Sequence, residues 1–108
     1  MAKLVKTISG DFDAVLKKVT DGILNASLSA SLEDSCDFRG SDSRCAVRVF
    51  ERYSWTGENR VSMNVTLYQD RGGPVQICAI TSGGSQALFF KVNTFGEEAF
   101  LDTLREIL

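Results

Sequence analysis

The chain contains no histidine, and that absence removes more chemistry than any other feature of its 108 residues. Histidine is the usual general base near neutral pH and the commonest metal ligand. Ser-His-Asp and Cys-His arrangements are therefore impossible within one chain. Cysteine is scarce too: Cys36, Cys45 and Cys78 are odd in number and lack CxxC spacing. A tetrahedral zinc site has too few of its usual ligands here. Free, partly buried thiols of a reducing compartment are the expectation, with a Cys36–Cys45 bridge as the alternative. No apolar run approaches the roughly 20 residues that cross a bilayer. The segment from Met1 to Gly10 has two lysines but no long apolar stretch or cleavage site of the secretory kind. A cytoplasmic location follows as an expectation, without a membrane. Net charge is only −2, so the basic field that generic nucleic-acid binding needs is missing. Proline occurs once, at Pro74.

What is present is an ordinary globular composition, 44% hydrophobic and 24% charged. Residues 1–108 are expected to form one domain, large enough for a core without staples. The organising stretch is Cys45 to Tyr68. Val61, Met63, Val65 and Leu67 alternate with Ser62, Asn64, Thr66 and Tyr68, which places the two sets on opposite faces of a strand. Cys45, Val47, Val49, Tyr53 and Trp55 alternate likewise, interrupted by Glu51. Thr56 to Asn59 between the two runs has the polar character of a hairpin connection.

Around this hairpin the chain divides into further elements. Lys3 to Ile8 reads as a first strand. Asp11 is a good N-cap, and Phe12, Val15, Leu16, Val19 and Ile23 recur at helical spacing, predicting a helix from about Asp11 to Leu24. Ser27 to Leu32 alternates strictly, with Leu28, Ala30 and Leu32 expected inward. Glu33 to Arg44 breaks the pattern and reads as a solvated loop. Gln69 to Pro74 is a turn, Val75 to Thr81 a strand, Ser82 to Ser85 a turn and Ala87 to Val92 a further strand. Thr94-Phe-Gly-Glu97 has the form of a capping box opening a C-terminal helix, whose apolar stripe is Phe100, Leu101, Leu104, Ile107 and Leu108.

The predicted order is β-α-β-β-β-β-β-α. Short connections force antiparallel pairing, and two amphipathic helices need a sheet face to cover. The fold class is therefore α+β: a two-layer domain with a curved antiparallel sheet of five or six strands and both helices on one face. Such an order resembles the TATA-binding-protein-like and helix-grip folds, a likeness of fold that carries no function. The open face is expected to be partly apolar, with Phe50, Tyr68, Cys78, Ile80 and one of Phe89 and Phe90 on it. Apolar surface of that kind implies a partner or ligand, and a homodimer through sheet face or edge is the expectation.

The runs Ser29 to Asp34, Cys45 to Ser54, Ala79 to Gln86 and Asn93 to Glu98 resemble a family of small bacterial proteins classed as a domain of unknown function. The resemblance covers nearly the whole chain. It implies a bacterial, stand-alone cytosolic domain and transfers no activity or site residue.

Few local features suggest chemistry. Arg44, Arg48 and Arg52 recur at even spacing and so share one strand face with Ala46 and Phe50. Guanidiniums beside an aromatic ring can take a phosphate, carboxylate or nucleobase, and pairing with cross-strand acids is the plainer alternative. Gly83 and Gly84 in Thr81 to Gln86 can turn backbone N–H groups toward an anion, although a tight turn needs the same residues and no Walker lysine follows. Arg44, Arg48, Phe50, Arg52, Gly83 and Gly84 form the candidate ligand or partner surface. Glu33, Asp34, Asp37 and Asp42 do not match a calcium loop. No catalytic residue, cofactor or metal is expected. The leading reading is a non-enzymatic binding or interaction domain acting as a homodimer, with a small-molecule ligand as a second partner to consider. The alternatives are a carrier with an internal cavity, or an enzyme using Glu51 or Cys78 near the Gly83-Gly84 turn.

Overall fold

In the computed structural model the described residues are 1–53, 60–83 and 90–108, with side chains described from residue 97 onward in the last stretch. The elements are β1 (Ala2–Ile8), α1 (Phe12–Ala26), β2 (Ser31–Arg39), β3 (Arg44–Tyr53), β4 (Arg60–Gln69), β5 (Val75–Gly83) and α2 (Phe90–Ile107). Among the described residues five strands form one antiparallel sheet in the order β1-β5-β4-β3-β2. The α+β class and the two helices agree with the sequence reading.

Local signals place most of these elements. The Asp11 carboxylate accepts from the Ala14 backbone N–H at 3.0 Å, capping α1 as its position suggests. Gly72 takes φ +61° in the β4–β5 turn, a conformation that glycine adopts without a Cβ penalty. The turn is closed by Gly73 N–H donating to the Asp70 carbonyl at 3.0 Å. On β4, Val61, Met63, Val65 and Leu67 are all fully buried, as their alternation requires. They meet Val75, Ile77 and Ala79 of β5, and Val15, Val19, Ile23, Phe100, Leu101 and Leu104 of the helices, in one core. At Gly22 the helices approach so closely that an added Cβ would lie 2.6 Å from the Ile107 side chain. The helix-weakening glycine of α1 is thus a packing requirement.

Three expectations are corrected. The first concerns the predicted loop from Glu33 to Arg44, most of which is strand. β2 runs Ser31–Arg39, turns tightly with Gly40 N–H donating to the Ser43 carbonyl at 3.0 Å, and re-enters the sheet as β3. The alternation of residues 27–32 does not make the strand: Ser27 terminates α1, and Leu28 is fully exposed. β2 escaped notice because it is an edge strand, exposed along nearly its whole length and rich in charge. Edge strands carry charge as protection against pairing with other chains, so their hydrophobic period is erased.

The second correction is at the C-terminal end. Phe90 to Val92 belong to α2, so the sixth strand proposed for residues 87–92 is not formed there; residues 87–89 lie outside the described residues. Thr94 to Glu97 consequently fall inside the helix and do not start it. Glu97 is buried there, with its Oε2 2.8 Å from the Met1 amino group.

The third correction is to β3. Its core-facing residues are Ala46 and Phe50, both fully buried, and not the set Cys45, Val47 and Val49. Pairing decides this. Phe50 lies opposite Met63 and Ala46 opposite Leu67, and directly paired residues share a face. The arginines at 44, 48 and 52 therefore lie on the helix-bearing side, and the more continuous apolar set of β3 turns away from both helices.

Candidate functional site

The arginine row is held by the fold itself. Arg44 Nη2 donates to Asp13 of α1 at 2.8 Å, and its guanidinium lies 4.4 Å from the centre of the Phe12 ring. Arg52 stacks 4.6 Å from the Phe100 ring centre and reaches the Thr103 hydroxyl of α2 at 3.4 Å. Between them Arg48 pairs with Asp37 of β2 at 3.0 Å and donates to the Val47 carbonyl at 2.9 Å. Arginine can bury its aliphatic stem while its charged head finds a polar partner. Burial lowers the Arg52 pKa from the ordinary range, and the hydrogen bond to Asp13 raises that of Arg44. Phe50 stands between Arg48 and Arg52 on the same face, fully buried and not on the open face as expected. Gly83 ends β5 opposite Val61, and Gly84 lies outside the described residues. The described part of the candidate surface thus gathers Arg44, Arg48, Phe50 and Arg52 on one face of one strand. There the heads clamp α1, β2 and α2 in turn.

The Asp13 carboxyl is held below the usual carboxylate range, first by the hydrogen bond from Arg44. A carboxyl depressed in the folded state contributes stability above its unfolded pKa of about 3.9, lost as pH falls through the folded value. Asp13→Asn is expected to flatten the decline of melting temperature below about pH 4, leaving the neutral-pH fold intact. Thermal melts of both proteins between neutral pH and pH 2 check it.

The enzyme alternative set Glu51 or Cys78 beside the Gly83-Gly84 turn, and half of that turn, Gly84, lies outside the described residues; Glu51 and Cys78 themselves stand apart. Glu51 projects from β3 on the open face and pairs with Arg60. Cys78 projects from β5 on the same face, two strands and four residue positions away. From the standard strand spacing and rise, that separation is about 16 Å. Ser62 and Ser82 stand between Glu51 and the β1 edge, their hydroxyls 2.8 Å apart. Among the described residues no group of three or more acidic or cysteine side chains is placed to hold a metal. Cys36, Cys45 and Cys78 are free thiols.

The feature the sequence pointed to only in part is the open face as a whole. The strand pairings arrange it as a grid. One cross-strand row reads Phe38, Cys45, Tyr68, Gln76 and Thr7; the next reads Cys36, Val47, Thr66, Cys78 and Val5. These ten positions carry no charge. A third row, Asp34, Val49, Asn64, Ile80 and Lys3, is charged only at its two ends. Phe38 and Val5 are each 64% exposed, Ile80 40% and Tyr68 39%. Tyr68, Cys78 and Ile80 were expected on this face; Val5, Phe38, Val47 and Val49 were not. For Val47 and Val49 the signal was available in the period-two alternation of β3, but the register that turns it outward was not; Phe38 lies on β2, whose period is erased.

The open face is not smooth. A depression of about 170 Å³ is lined by Val5, Thr66, Tyr68, Gln76, Ile77 and Cys78. Another of about 150 Å³ is lined by Asp34, Ser35, Cys36, Val47 and Val49. A third lies beside the β4–β5 turn, lined by Ser9, Gly10, Gln69, Gly72, Gly73 and Pro74. None of these is an enclosed space between helix and sheet of the kind a carrier of apolar ligands uses.

The profile of a family described as "Family of unknown function (DUF6054)" matches residues 1–108. The chain belongs to this family. No curated protein and no solved structure gives a match. The family carries no assigned activity, and the likeness to TATA-binding-protein-like and helix-grip folds rests on element order alone. No described helix is long and apolar enough to cross a membrane.

Proposed function

We propose that this protein is a non-enzymatic interaction domain that works as a homodimer, with the open sheet face of one copy covered by that of another. One observation carries the reading: the apolar set of β3 faces away from both helices and continues into two charge-free rows across all five strands. The largest apolar patch on a soluble domain is often its site of interaction.

Its size suits a second copy. Five strands about 4.8 Å apart, with about eight residues each, give a face on the order of 600 Å², its charged margin at Lys3, Asp34 and Glu51 included. Two such faces in contact bury on the order of 1,200 Å², the lower end of the range for specific complexes. Sheets stack about 10 Å apart with side chains interdigitated, which the relief of this face permits. Symmetric dimers are also the commonest soluble assembly. The arginine row does not compete for this role, because its heads are paired with Asp13, Asp37 and Thr103.

Sedimentation equilibrium between about 1 and 100 µM, a range bracketing ordinary dimer affinities, tests the reading. A single species of twice the chain mass at the upper end is expected. A monomer throughout the range would overturn it.

A further inference from the structure

Resting on the homodimer reading above, the charge pattern of the open face goes further and selects how the two copies lie. Lys3 and Asp34 stand at opposite ends of one cross-strand row: Lys3 is paired with Ile80, Ile80 with Asn64, Asn64 with Val49, and Val49 with Asp34. β1 and β2, which carry them, are the two edges of the sheet, and β4 is its centre. We infer that the two-fold axis runs along β4, so that Lys3 of each copy faces Asp34 of the other.

The argument is one of symmetry. A two-fold axis parallel to the strands exchanges the two edges and leaves each row at its own height. Lys3 then meets Asp34 of the second copy, and the same pair recurs on the other side, as an isologous interface demands. An axis perpendicular to the strands lays each edge over itself instead. Lys3 would then face Lys3 or the uncharged end of β1, and Asp34 would be buried without a cation. Unpaired charge at the margin of an apolar interface is costly, whereas opposite charges there fix register. Facing sheets also prefer strands within about 30° of one another, a rotation that a lysine side chain spans.

Relief agrees with charge. The strand-parallel axis places β2 of one copy over β1 of the other, and β3 over β5. Phe38, 64% exposed on β2, then stands over the partner depression lined by Val5, Thr66, Tyr68 and Cys78. Ile80 and Val5 stand over the other, lined by Asp34, Cys36, Val47 and Val49. The projecting side chains of one half of the face thus meet the depressions of the other half.

Two measurements test the orientation. Lys3→Glu and Asp34→Lys should each weaken the dimer roughly tenfold by setting like charges opposite. The double variant should return to within about threefold of the parent. In the second, chains retaining only Cys45 are mixed with chains retaining only Cys78, the other cysteines being changed to serine, and treated with a short bismaleimide. Since β3 lies over β5 of the second copy, the mixed Cys45–Cys78 product should exceed either like-with-like product. It remains readable even if Asp34→Lys fails to fold. A parent that dimerises while Cys78–Cys78 linkage dominates, or whose double variant is no better than the singles, overturns the orientation and leaves the homodimer standing. A parent that never dimerises removes both.

Discussion

Phe50→Ala is expected to lower stability by about 3–5 kcal/mol, the range for removing a fully buried aromatic ring. The ring sits at the middle of β3 opposite Met63 on one side and Leu32 on the other, with no exposed surface. Its loss leaves a cavity between positions 48 and 52 of the strand, whose arginines are held by Asp37, Thr103 and Phe100. For a domain of this size such a loss lowers the melting temperature by roughly 15 °C or more. Val49→Ala, one residue away but on the open face, should cost about 1 kcal/mol or less in the separated chain. Urea unfolding of both variants at low protein concentration compares them directly. An equal or larger cost at Val49 would mean that β3 is paired one residue out of register, since such a slip exchanges the two faces.

The second large effect concerns assembly and not folding. Phe38→Glu with Ile80→Glu should weaken the dimer at least about a hundredfold, because four carboxylates per dimer would have to be desolvated against apolar partners. The fold should survive, with melting temperature at low concentration within a few degrees of the parent. Both side chains are at least 40% exposed in the single chain and contribute little to its core. Sedimentation velocity with circular dichroism on the same samples separates the two effects. A double variant that dimerises like the parent would exclude the open face as the contact.

How far the sequence revealed all this depends on the strand. β4 is flanked on both sides and half buried, so its alternation of Val61 to Leu67 with polar residues was legible without ambiguity. α1 was equally clear, because Asp11 and the stripe from Phe12 to Ile23 agree with one another. β3 was misleading for a physical reason. Both of its faces hold apolar residues, and the face with arginines is the buried one, since long guanidinium side chains can cap a core from its rim. Which face turns inward is decided by pairing with β4, a non-local property that composition along one strand does not encode. β2 was hidden by its edge position, and the start of α2 at Phe90 by the β-prone character of residues 90–92. The candidate site followed the same division. Arg44, Arg48 and Arg52 were found on one face as their spacing demands, but their partners Asp13, Asp37 and Phe100 come from three other elements. The charge-free grid of the open face became visible only when four registers were known together.

The central claim, that the open face is covered by its own copy, is tested most directly by the reactivity of the three thiols that lie on it. Cys36, Cys45 and Cys78 occupy two adjacent rows, two residues apart along the strands, on β2, β3 and β5. Their rates of modification by a small maleimide, followed residue by residue in the mass spectrometer, should fall together as concentration rises through the monomer–dimer transition. Rates that stay constant across that transition would place the contact elsewhere on the molecule and contradict the account.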